Sequence, residues 1–362
     1  MKRALKDWLL RGLTAREVAH WFHPLTRGRV AILAAHRFRR RDADEDGTSV
    51  AALRADLAYL RSEGYSFPSL GEAVERLQHD PGSLRKAVVY TIDDGYLDFM
   101  NLAAPAFAEF DCPATVFLPT AFVDGGTWLW WDRIEFIILH TRRDHTVVEL
   151  DGPPTTLRWS SHDERKAAIA FLVASVKRLP EVAKLEVIAR LGGELDVELA
   201  STPPSRYAPL SWDQVRALEE RGISFGPHSV SHPVLARASD EQVREELGQS
   251  WKRLQYETTG AVPVFAYPNG RAGDFGPREA QLLKDLGIAA AVTMEPGYAW
   301  RGHFDDRAPL ARYALPRFGY PPSQQTLVRI ASGFERVRLL AQKVAPGAAT
   351  SVASLQHGTA PA

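Results

Sequence analysis

The chain has 362 residues, enough for one large barrel or two ordinary domains. Lys and Arg total 44 and so do Asp and Glu, so no basic surplus exists to displace counterions from a nucleic acid. With 45% hydrophobic residues the chain also lies outside the composition of disordered proteins.

The N-terminus, MKRALKDWLLRGL, starts with the basic character of an export signal, but Lys6, Asp7 and Arg11 interrupt any apolar region. It reads instead as an amphipathic helix within residues 1–27, with Leu5, Trp8, Leu9 and Leu13 on one face, packed on its own domain or lying on a membrane surface. The longest apolar run, Ala167 to Ala174, is too short to span a bilayer. The expected location is therefore cytoplasmic, with peripheral membrane association as the variant.

RVAILAAHRF from Arg29 is a buried strand. The acidic stretch Asp42 to Gly47 imitates a calcium loop, yet its twelfth position is Leu53 where a bidentate Glu is needed, so it is read as a solvated loop before a helix over Val50 to Ser62. Strands then follow at Ala87 to Ile92, Pro113 to Leu118, Ile223 to Phe225, Val262 to Tyr267 and Ile288 to Met294. Between them lie helices with recognisable ends: Ser211 with Gln214, and Ser239 with Gln242, stand at capping-box spacing. This alternation predicts about seven parallel strands in an α/β barrel over 28–322. Residues 124–207 break the alternation. They open on Trp128-Leu129-Trp130-Trp131 and read as a largely helical insertion. A helix over Gln324 to Lys343 fills 323–346, and 347–362 reads as a disordered tail. Cys112 is a lone cysteine, read as a small buried hydrophobe.

Three polar clusters follow strands directly: Asp93-Asp94-Gly95, His228 to His232, and Tyr267-Pro268-Asn269-Gly270. In parallel barrels the carboxyl ends of the strands form the functional face. Of eleven histidines only His228 and His232 stand four apart, a spacing at which two imidazoles can face one ion. Two imidazoles with one carboxylate leave positions open for water and substrate. Of the adjacent aspartates, one can bind a cation while its neighbour accepts a proton from water. Trp128, Trp130 and Trp131 offer apolar faces to sugar rings.

At these residues the sequence resembles the polysaccharide deacetylase family, also called NodB-homology or carbohydrate esterase family 4. Thr91-Ile92-Asp93-Asp94-Gly95 is similar to its first motif, His228 to His232 to its second and Phe265 to Gly270 to its third. Weaker echoes are Ala35-His36-Arg37, Trp212 to Gly222 and Leu315-Pro316-Arg317. The resemblance implies a distorted (β/α) barrel that removes N-acetyl groups from amino sugars with a divalent cation, usually zinc. It implies Asp94, His228 and His232 as metal ligands, Asp93 as base, and the Asn269 N–H as an oxyanion donor. Tyr267, Pro268 and Trp130 are the expected substrate contacts. Where many members carry an arginine that orients the base this chain has Ala266, and Arg317 is the candidate replacement. The family's late histidine acid is also missing; His303 is a possible substitute, or Asp93 could shuttle the proton itself. An amidohydrolase acting on a small non-sugar amide and a non-catalytic sugar-binding barrel are the competing readings.

Overall fold

The computed structural model describes residues 20–40, 47–150 and 152–344. The expected N-terminal helix, apart from its last residues, the acidic loop and the tail lie outside the described residues. In chain order the strands are β1 (Arg29–Ala35), β2 (Phe38–Arg39), β3 (Thr48–Ser49), β4 (Ala87–Ile92), β5 (Ala114–Leu118) and β6 (His145–Val148). Then come β7 (Thr155–Arg158), β8 (Ser224–Pro227), β9 (Val264–Ala266), β10 (Ala290–Val292), β11 (Ala299–Trp300) and β12 (Phe318–Gly319).

β1, β4, β5 and β8 pair in parallel in that order, and β12 joins the free side of β1 in parallel. β11 runs antiparallel against the start of β1. β9 and β10 form a separate parallel pair. Among the described residues the one backbone bond from the β9 side to β8 is the Val262 N–H to the Phe225 carbonyl, and a single bridge, Val292 to Leu315, ties β10 to the segment before β12. The result is a mixed α/β fold around a curled half-barrel sheet, and the ladders do not close into the expected seven-stranded ring.

Alternation within the strands decides which side chains reach the site. Val30 and Ile32, Ala87 and Val89, Phe117, Val264, Ala266, Ala290 and Val292 form the inner cluster. Their neighbours Ala31, Leu33, Val88, Tyr90, Val116 and Phe225 face the outer helices, including Val50–Ser62 and Ala104–Glu109. Both faces are therefore buried, which is why these strands read as unbroken apolar runs. Extending the inner register by two residues past the last inward position of each strand brings Asp93 after β4, His228 after β8 and His36 after β1 to the inner rim.

Residues 124–207 hold the helices Trp130–His140, His162–Val176 and Glu181–Glu194 over their own apolar cluster, which includes Ile134, Ile137, Leu172 and Ile188. The segment is not wholly helical, because β6 and β7 form an antiparallel hairpin. The Ser211 and Gln214 capping box forms on both sides, whereas Ser239 caps its helix without a return bond from Gln242. The expected helix over Gln324 to Lys343 is two helices, Gln324–Ala331 and Phe334–Val344. Gly333 between them has φ +90°, and a Cβ there would lie 2.9 Å from Thr26 Cγ2. Among the described residues no helix is long and apolar enough to cross a membrane.

Gly226 lies on the inner face of β8, two residues before His228, where a Cβ would stand 2.6 Å from the Phe117 ring and 2.8 Å from the Val264 carbonyl oxygen. Gly226→Ala is expected to cost about 1–3 kcal/mol in denaturant unfolding, the scale of overpacking in a filled interior.

Candidate active site

One large cavity, about 850 Å³, opens at the carboxyl ends of the strands, and His36, Asp93, Asp94, His228, His232 and Asn269 all line it. Asp93 is 2% exposed and Asp94 3%. Two carboxylates this deep require compensation, and each finds a different kind.

Asp93 meets Arg317, itself fully buried, in a two-pronged pair: Nη1 donates to Oδ1 and Nη2 to Oδ2, both at 2.7 Å. The guanidinium is fixed in turn by Nε donating to the Thr293 carbonyl at 3.0 Å and Nη1 to Thr91 Oγ1 at 3.0 Å. Burial alone would raise the Asp93 carboxyl, but Arg317 overrides it and holds the group well below the usual carboxylate range. The His36 ring stands on the cavity side with Nε2 3.8 Å from Asp93 Oδ2.

Asp94 faces the two imidazoles. Its Oδ1 lies 3.6 Å from His228 Nε2 and 3.7 Å from His232 Nε2, and one donor atom from each of the three residues falls within 4.8 Å of the others. His228 Nδ1 lies 2.7 Å from the Ala266 carbonyl and must donate to it, which leaves Nε2 unprotonated in the neutral ring. His232 is pushed down to about 3, first by burial and then by His228. Two imidazole nitrogens and a carboxylate converge at this point. That donor set fits a divalent cation, and Asp94, His228 and His232 would hold it.

The backbone here is strained. Of the seven non-glycine residues with positive φ in the described chain, Asp94 (74°), Ser229 (67°), His232 (60°) and Asn269 (61°) are at this site. Such conformations persist only where the surroundings impose them. At Asn269 the turn leaves the backbone N–H without an acceptor among the described residues, on the cavity wall.

Other sequence expectations are corrected. Tyr267 is 1% exposed and stacks on Phe275 at 4.0 Å, and Pro268 is buried beside it; neither lines the cavity, because their side chains fall into the packing behind the turn. Trp130 borders the cavity but is 4% exposed and packs in the apolar cluster of residues 124–207, while Trp128 stacks on Tyr207. The less buried tryptophan is Trp131, whose ring meets the His232 ring edge-on at 4.6 Å. His303 sits in the turn after β11, beside the amino end of β1, and does not line the cavity.

The sequence reading missed a polar wall. Trp131 Nε1 donates to the Tyr96 hydroxyl at 3.1 Å, and that hydroxyl donates to Asp132 Oδ2 at 2.7 Å. Arg37 lies 4.0 Å over the Tyr96 ring and binds Asp98 at 2.6 Å. Burial pushes the Asp132 carboxyl up to about 8. His36 was also within reach of the sequence, since it shares the inward alternation of Val30 and Ile32.

Residues 166–291, which include the second and third motifs, match the model of the polysaccharide deacetylase family. A search of curated sequences finds no match. The Streptococcus pyogenes deacetylase PplD in complex with acetate is similar at 19% identity and TM-score 0.56, over 84% of this chain and 98% of that one. IcaB from Ammonifex degensii is similar at 16% identity and TM-score 0.53, over 84% and 97%. A de-N-acetylase from Aggregatibacter actinomycetemcomitans is similar at 14% identity and TM-score 0.52, over 83% and 99%. At these identities the neighbours establish the fold alone, and the family resemblance read from the three motifs is borne out.

Two stability measurements check the electrostatics. Arg317→Met leaves Asp93 buried without its partner and is expected to cost about 3–5 kcal/mol at pH 7. The deficit should shrink toward pH 4 as Asp93 takes up a proton in the variant. Asp132 keeps its proton in the folded state until about pH 8, whereas in the unfolded chain it loses it near 4, so it makes stability fall as pH rises between those values. Asp132→Asn should flatten that decline, which is at most about 1.4 kcal/mol per pH unit; equal slopes for both proteins in urea unfolding would refute the assignment.

Proposed function

We propose that this chain is a metal-dependent hydrolase that removes the N-acetyl group of an amino sugar in an oligosaccharide, polysaccharide or lipid-linked precursor. One observation carries the reading. An arginine-held carboxylate stands beside a three-residue metal donor set, and both face one cavity large enough for a sugar. In this reading residues 28–322 form a NodB-type barrel and 124–207 an insertion that supplies one cavity wall.

Asp94, His228 and His232 hold a divalent cation, for which the two-imidazole, one-carboxylate set favours zinc. When bound, such an ion polarises an acyl oxygen and brings the pKa of a water toward 7 in favourable sites. Asp93, kept ionised by Arg317, accepts the proton of the attacking water, since each of its oxygens keeps a second lone pair after binding the guanidinium. The Asn269 N–H, which has no acceptor among the described residues, stabilises negative charge on the acyl oxygen. His36, with its side chain 45% exposed and next to Asp93, delivers a proton to the departing amine. This supplies the acid that the sequence reading sought at His303.

Acetate release from a panel of N-acetylated saccharides tests the reading. Release is expected with zinc, should stop with chelator, and should fall about 10²–10⁴-fold in Asp93→Asn. His36→Gln should bind metal normally yet turn over at least about tenfold more slowly; an unchanged rate removes His36 from the mechanism. Release only from small non-sugar amides would make the chain an amidohydrolase. Metal binding with no release from any substrate would make it a binding barrel.

A further inference from the structure

The turn from His228 to His232 carries two non-glycine residues in the left-handed region within four positions, each costing about 1–3 kcal/mol. Its carbonyls are held from one side, where the Thr120 N–H donates to Ser229 O at 3.1 Å and the Ala121 N–H to Val230 O at 3.0 Å. The His232 N–H donates to Ser229 Oγ within the turn at 3.1 Å, and the two amides between, of Val230 and Ser231, are held from the other side by a single side chain. Glu246 Oε2 accepts from the Val230 N–H at 2.7 Å and the Ser231 N–H at 2.9 Å, and Oε1 accepts from the Ser231 hydroxyl at 2.5 Å.

Glu246 belongs to the helix Asp240–Glu257 and lies among its buried residues Val243, Leu247, Ser250 and Leu254. It is 7% exposed, an acid in an apolar stripe where a leucine would pack at lower cost. Packing gives no reason for the charge. Three donors from one turn do, because a bidentate carboxylate can gather adjacent amides that no strand pairs with.

We infer that Glu246 is a positioning residue for the candidate metal centre: its carboxylate holds the turn in the strained conformation that presents the His228 and His232 rings to Asp94. The inference rests on the reading of those three residues as ligands. Glu246 is not a ligand itself, since both of its oxygens are taken by the turn.

The test is zinc binding by the full chain, stripped of metal and titrated in competition with a chromophoric chelator, with circular dichroism confirming the fold of each variant. Glu246→Ala and Glu246→Asp, the second too short to reach the turn, should bind about 10–100-fold more weakly, the range for groups that support metal ligands. Glu246→Gln should recover most of the affinity, its carbonyl accepting both amides and its amide donating to the Ser231 hydroxyl. A merely structural glutamate would lower melting temperature without separating Gln from Asp in metal affinity. If Glu246→Ala does not fold, Glu246→Asp decides. Binding within twofold of wild type in Glu246→Asp, with binding lost in His228→Ala, overturns the positioning role alone. Wild-type binding in both overturns the ligand reading as well.

Discussion

The bidentate pair between Asp93 and Arg317 is the constraint on which the rest of this site depends. Asp93 and Asp94 are neighbours in sequence and both are buried, an arrangement that is unfavourable unless each charge has its own partner. Arg317 meets one of them with two hydrogen bonds inside the half-barrel. The positive φ of Asp94 turns the second carboxylate away from the first and toward the imidazoles. Adjacent acids thus acquire different environments from one local feature of the backbone, and the difference in environment is what allows a difference in role.

Much of this was legible in the sequence, and the reasons are physical. Strands buried on both faces announce themselves as apolar runs, so β4 and β5 read almost to the residue, and β1 reads from its first residue but ends three residues before the apolar reading does. Asp93, Asp94, His228 and His232 follow strands directly, and strand ends in such folds meet at one rim. What escaped depends on three-dimensional neighbours. β9 and β10 are three residues each within longer apolar stretches, so their bounds are set by pairing and not by composition. Tyr267 and Pro268 sit beside Asn269 in sequence, yet the turn sends them into the packing and leaves the asparagine at the cavity. Nothing in the order of residues separates those outcomes. The pairing of Tyr96 with Asp132 spans 36 positions and two different elements, and no local pattern encodes it.

His36 is a different kind of omission. The inward alternation that identifies Val30 and Ile32 as interior extends two steps beyond, to Ala34 and His36, where the strand ends at the rim. The same arithmetic applied to β4 passes through Val89 and Thr91 to Asp93, and applied to β8 passes through Gly226 to His228. Period-two register, and not residue type, is the common address of the three inner-face groups.

The arginine shows how little the chemistry cares which strand supplies a charge. β10 pairs with β9 on one side and bridges to Leu315 on the other, so Ala266 and Arg317 flank the same strand. An arginine at 266 would enter the interior from β9; at 317 it enters from the far side of β10, passing under Thr91 with its guanidinium 5.6 Å from the Phe117 ring. β1 lies between β12 and β4, with Ala34 opposite Gly319 on one side and Thr91 on the other. Ala266 in turn keeps its carbonyl close to His228, where it fixes the tautomer that frees Nε2. One position settles the His228 ring and the other the Asp93 carboxylate, and a long side chain is required only at the second.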